Sequence, residues 1–273
     1  MDDSKYEFDY LDFQRRGYFG APSVLKDAPP PRNWKRTPWY GWAFAFDRAK
    51  KGDFGALPHL LPLLEEDIGG TFEQAVSTLL GDAGFGDMFA GLKKTMKQHE
   101  GYDLSFHAAE AIAYRGKLSD VPLLIEFHRA THHLRDVPSV PRMLSRILHP
   151  DGLLPRPDAF ESMDEYCGMV ERTWKELADR FGTTDLYLWL GEPSSVRRMA
   201  KVISKRAREP YFPFAFRRKF EASTGINCSA FYKADRSFQP LSAAAIAEGF
   251  LNSPQADQFV DGVRYFFGNP LPD

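Results

Sequence analysis

The chain has 273 residues, 43% hydrophobic and 26% charged, an ordinary globular balance with length enough for one elongated domain or two compact ones. Its formal net charge of −2 excludes a global electrostatic demand for nucleic acid or an anionic membrane surface, and its only cysteines, Cys167 and Cys228, exclude a disulfide framework and a zinc ribbon. The N-terminal stretch has no basic-then-apolar start and no apolar run of eighteen residues occurs, so a reducing cytoplasm is the expected location and no membrane partner is expected.

Residues 1–36 form an arm rich in rings (Tyr6, Phe8, Tyr10, Phe13, Tyr18, Phe19) that ends in Pro29-Pro30-Pro31. So many aromatics left in water would each forgo on the order of 1.5 to 3 kcal/mol, so the arm is expected to pack on the body. Thr37-Pro38 reads as a hydroxyl cap followed by proline in the first turn, opening a helix over about 38–50. A second helix is expected over about 54–66, kinked or broken by Pro62, with Leu57, Leu60, Leu61 and Leu64 on one face. Thr71 and Gln74 read as a capping box for a helix over about 71–82. Further helices follow over about 86–98, 104–115, 118–134 and 139–148, and His149-Pro150-Asp151-Gly152 stops the series.

One pattern runs through that stretch. Gly52, Gly84 and Gly116 recur 32 residues apart, and Leu57, Phe89 and Val121 hold one apolar phase while Leu60, Leu92 and Leu124 hold another. Phe44, Val76, Ala108 and Val140 share a third phase, and Leu80, Ile112 and Leu144 a fourth. The glycines are expected at turns that need positive φ. On these residues the segment 37–150 resembles the HEAT-like and armadillo-like helical repeats, which implies an α-solenoid of helix pairs whose second helices line a concave, protein-binding face.

Residues 151–273 lose the period and read as a compact, mainly helical region with at most a small β element. A helix over about 159–180 carries Met163, Cys167, Val170, Trp174 and Leu177, with Gly182 as its stop, and residues 185–190 are short enough for a strand. Ser194 is expected to cap the next helix, which Pro210 ends; a short helix then holds Phe214, Phe216 and Phe220, and Pro240 opens an alanine-rich one to about Leu251. Asp261-Gly262 reads as a tight turn before a strand.

The candidate sites are few. His128, His132 and His133, with Glu126 near, have helix spacing for a metal, but His128 shares its phase with Leu64 and Met96, so packing is the expected role and no metal or cofactor is assigned. A basic run, Arg197, Arg198, Lys201, Lys205, Arg206, Arg208, Arg217, Arg218 and Lys219, is interleaved with Tyr211, Phe212 and Phe214, the makings of an acidic-partner or nucleic-acid patch or of a solvated face. Cys167 falls on an apolar stripe; Cys228 lies at a helix end without an assignable base. Glu65-Glu66-Asp67 reads as a solvated helix end. Opposite the apolar stripes of the second helices stand Glu65 and Glu66, then Lys93, Lys94 and Lys97, then Glu126, Arg129 and His133, a ladder that changes sign from unit to unit and could register a charged protein partner.

The function expected is therefore non-catalytic protein binding. In general character the chain is similar to the immunity proteins that bacteria encode beside polymorphic toxins, which implies a cognate toxin domain as partner, neutralised by stoichiometric binding. The alternatives are a metal- or cysteine-dependent enzyme in the C-terminal half, using the histidines or Cys228, and a nucleic-acid-associated repeat protein, which the near-neutral charge disfavours.

Overall fold

A computed structural model of the protein describes residues 3–66, 68–98, 103–133, 139–209 and 212–272. The fold is mainly α. Eleven α-helices are seen among the described residues: α1 (Tyr10–Arg16), α2 (Pro38–Ala49), α3 (Gly70–Ala83), α4 (Met88–Gln98), α5 (Asp103–Arg115), α6 (Val121–Thr131), α7 (Ser139–Leu148), α8 (Met163–Phe181), α9 (Val196–Arg206), α10 (Phe214–Thr224) and α11 (Pro240–Leu251). Strands are confined to two antiparallel ladders of two strands each, β1 (Leu188–Trp189) with β2 (Glu192–Pro193) and β3 (Tyr265–Phe266) with β4 (Asn269–Pro270). No helix among the described residues is long and apolar enough to cross a membrane.

The chain divides into two compact units, one made of residues 1–85 and 195–273 and the other of residues 86–194. This division cuts through the segment 37–150 expected to form one array. All of its apolar columns are buried, from Phe44 and Val76 to Leu124 and Leu144, yet they do not mark equivalent corners. Gly52 and Gly116 do take positive φ, at 82° and 75°, but Gly84 leaves α3 extended at φ −68° and ψ 153°, and α3 and α4 fall in different units. Burial of a stripe is common to any helical packing, so the period fixed which faces turn inward without fixing how the helices assemble. The expected second helix also differs: residues Leu57–Glu65 form a 3-10 helix, and Pro62 in its interior lacks the N–H that an α-helical ladder would need.

The first unit is held by rings. Phe8 lies 5.0 Å from both Trp39 and Trp42 by centroid, Phe13 meets Tyr18 edge-on at 5.2 Å, Tyr18 stacks on Phe46 at 5.2 Å, and Phe266 of β3 closes on Tyr18 at 5.5 Å. The aromatic arm is thus packed core, as its composition demanded. It also supplies a cap: the N–H groups of Trp39 and Tyr40 donate to the Asp3 carboxylate at 3.2 and 2.8 Å, while the Thr37 hydroxyl, the cap expected from sequence, bonds instead to Asn33 O at 3.1 Å. An anion in this place also meets the positive end of the α2 dipole. Likewise Thr71 does not cap α3; Glu73 reaches back to the N–H groups of Ile68 and Gly69, both at 3.3 Å.

The second unit packs α5 against α4, α6 and α7, with α8 against α6 and α7. Ser162 caps α8 through the N–H of Glu165 at 3.1 Å, and Gly182 ends it in the left-handed region. Ser195, one residue after the cap expected, opens α9 in the first unit. The corner after α5 is fixed by backbone pairing, with Leu188 N–H donating to Gly116 O at 2.7 Å and Leu118 N–H to Leu186 O at 2.9 Å. A Cβ on Gly116 would stand 2.6 Å from the Leu188 carbonyl oxygen, whereas one on Gly182 would meet nothing within 4 Å, although both have positive φ. Gly116→Ala is therefore expected to destabilise the protein by about 2 kcal/mol or more and Gly182→Ala by only about 1 kcal/mol, as read from urea denaturation. Equal losses would contradict this reading of the corner.

Candidate binding surface, buried charges and a cleft

The basic run read from sequence does not form one patch. Arg197, Lys201 and Lys205 are exposed on α9, and Arg197 pairs with Asp257 at 3.0 Å; Arg198 is half-buried. Arg206 lies over the Phe216 ring at 5.2 Å. Arg217 and Arg218, by contrast, are buried on α10, and Lys219 is half-buried beside them. Tyr211, and Asp67 of the acidic run, lie outside the described residues. The split has a simple physical cause: α10 carries Phe216 and Phe220 on the inner face, and the cations between them find anions inside the unit.

Two carboxylates receive them. Asp82, wholly buried near the end of α3, accepts from Tyr18 Oη at 2.9 Å, from Arg218 Nε at 3.2 Å and from Lys219 Nζ at 3.5 Å. Glu221 accepts from the N–H groups of Tyr18 and, at 3.0 Å, Cys228, beside the Arg217 guanidinium, which itself donates to Gln14 O. Burial pushes the Glu221 carboxyl up to about 7 against the pull of Arg217 and those N–H groups, and pulls the Lys219 ammonium down to about 8 against Asp82. Arg264 closes the other side, donating to the carbonyls of Gly84, Gly81 and Asp82 at 2.8, 2.7 and 3.1 Å, where the negative end of α3 favours a cation. Sequence reasoning missed this cluster; its signal was an aspartate set among the apolar positions Leu79, Leu80 and Ala83.

The residues of the expected charged ladder divide between the units. Glu65 and Glu66 belong to the first, where Glu66 pairs with Lys35. In the second unit Lys93 is drawn down to the buried Asp120 at 2.5 Å, and Arg129 is held by Asp164 and Glu171 at 3.1 and 3.0 Å. Lys94 and Lys97 on α4 and Glu126 on α6 stay exposed and have no ion pair among the described residues; His133 is exposed with its ring 5.7 Å from that of His132.

Both cysteines are interior. Burial raises the Cys167 thiol, and raises the Cys228 thiol much further with Glu221 adding to the shift, so each is held as the protonated, poorly nucleophilic form. Among the described residues no three His, Cys, Asp or Glu side chains gather to hold a metal ion. His128 is buried as its phase required, whereas His132, four residues on, is exposed.

A cleft of about 580 Å³ opens beside that histidine in the second unit, lined by His128 and His132 from the α6 end, Pro141, Arg142 and Ser145 from α7, the 152–158 loop and Met163 of α8. His128 Nε2 and, 5.6 Å away between ring centroids, the hydroxyl of Tyr166 are both buried without a hydrogen-bond partner among the described residues. Burial, then His132, lowers the His128 imidazole to about 4, so near neutrality it is an uncharged donor and acceptor. No local pattern in the sequence announces this cleft, since its walls come from three helices and a loop. No family model, curated protein or solved structure matches the chain.

The depressed imidazole links stability to pH. An unfolded histidine takes its proton near pH 6.5 and the folded one only near 4, so protons favour the unfolded chain and the contribution of His128 is full above pH 6.5 and lost as the pH falls to about 4. The loss from this group should reach about 3 kcal/mol across that window. His128→Leu is expected to flatten the fall by a similar amount in urea denaturation at both ends of the window; an unchanged slope would contradict the assignment.

Proposed function

We propose that the protein is a non-catalytic scaffold that binds another protein through exposed charges, and that the partner is a toxin domain which it neutralises stoichiometrically as a bacterial immunity protein. One observation carries the reading. Both thiols, Asp82, Glu221 and Lys219 are consumed inside the first unit or kept neutral by burial, while Lys94, Lys97 and Glu126 project from α4 and α6 with no internal partner among the described residues. Exposed charges of mixed sign steer an encounter and fix its register more than they add affinity. The immunity reading supports itself on the general likeness of a helical chain with apolar repeats followed by an irregular half.

The cysteine route to an enzyme finds no support in two buried, protonated thiols. The nucleic-acid route loses Arg217 and Arg218 to the interior.

The product of the neighbouring reading frame, co-expressed with this chain, is expected to co-purify as a stoichiometric complex. Lys94→Glu together with Lys97→Glu should weaken the complex at least about tenfold by titration calorimetry, with the larger part in the association rate. Absence of a complex would remove the immunity reading, and a complex indifferent to both charge reversals would remove the proposed surface.

A further inference from the structure

The cleft beside His128 has features that protein binding through α4 and α6 does not use. Its volume, about 580 Å³, falls within the roughly 300 to 1,000 Å³ of small-molecule sites. Much of its wall is apolar: Pro141, Leu153, Leu154, Pro155, Pro157 and Met163. Leu153 is 72% exposed there, an aliphatic side chain with nothing laid against most of its surface. Against this wall stand two guanidinium groups, Arg142 and Arg156, both exposed and neither paired with a carboxylate among the described residues, and a single acid, Asp158. The fourth feature is the buried His128 ring nitrogen that has no partner.

These features select a ligand with two unlike ends. We propose that the cleft binds a small organic acid, an apolar ring or branched chain bearing one carboxylate, with Arg142 and Arg156 receiving the carboxylate and the Leu153–Met163 wall receiving the apolar body. Arginine forks match a carboxylate two bonds at a time, which a solvated inorganic anion exploits as well, but the apolar wall rewards only a ligand that carries hydrocarbon. Asp158 sets the selectivity, since it repels a second negative charge and so favours monoacids over diacids. The His128 ring lies in the wall and reports on what occupies the cleft. The inference does not depend on a protein partner, and its failure would leave the scaffold reading untouched.

The test uses the full chain labelled with nitrogen-15 and a panel of monocarboxylates running from isovalerate through phenylacetate to indole-3-acetate, each beside its own amide, with inorganic phosphate as the anion without hydrocarbon. At least one acid is expected to shift the His128 ring resonances saturably with a dissociation constant below about 1 mM, while its amide binds at least about tenfold more weakly. Arg142→Ala with Arg156→Ala, both on exposed side chains, should lose about tenfold in affinity and leave the His128 resonances of the free protein in place. The proposal is overturned if no acid perturbs His128 up to about 10 mM, if acid and amide bind alike, if phosphate binds as tightly as the best acid, or if the double variant binds as the parent does.

Discussion

The first unit depends on what surrounds Asp82. A carboxylate near the end of a helix is too costly to bury alone, and removing one side of such a pair typically costs about 3 to 5 kcal/mol. Here three separate parts of the chain converge on it: Tyr18 from the arm, Arg218 and Lys219 from α10, and Arg264, just before β3, which holds the neighbouring carbonyls. Glu221 repeats the device one turn further along α10, accepting from the arm again and from Cys228. Residues 195–273 therefore return to the first 85 through ionic contacts set in a ring-packed core. Such contacts reward one arrangement of these segments and penalise the rest, since any slip leaves a charge without its partner.

Much of the helical content was legible because spacing of apolar residues needs nothing from far away. Helix α2 runs Pro38–Ala49 against an expected 38–50, and α11 runs Pro240–Leu251 as Pro240 and the alanines implied. Several failures depend on residues distant in sequence. Thr37 looked sufficient as a cap, but Asp3 reaches the same N–H groups from the arm. The 32-residue period was real as a record of inward faces, but burial of a stripe does not by itself say how the helices assemble. A run of cations read as one surface because sequence cannot say that Asp82 and Glu221 wait for three of them inside. The cleft at His128 was invisible for the same reason; only the burial of that histidine could be read from its phase.

The same sorting of charge bears on function. Interior charges here fasten segments together, and exposed ones such as Lys94, Lys97 and Glu126 are left with water. In the second unit Asp120 takes Lys93 inward and Arg129 is tied to α8 by Asp164 and Glu171, so only part of the ladder anticipated from sequence remains open to a partner. Under the proposed function, such a surface would select partners by sign and spacing. The cleft between α6, α7 and the 152–158 loop is a separate feature, with an apolar wall and the exposed Arg142 and Arg156.

Hydrogen exchange on an Asp82→Ala variant tests the central claim most directly. If Asp82 holds the arm, α10 and the C-terminal ladder as one cooperative body, amide protection should fall together across residues 13–20, Phe214–Thr224 and 264–271 while the second unit keeps its own. A rise in exchange confined to α3, with Tyr18 and α10 as protected as before, would show that these segments are held by their rings alone and would contradict the account.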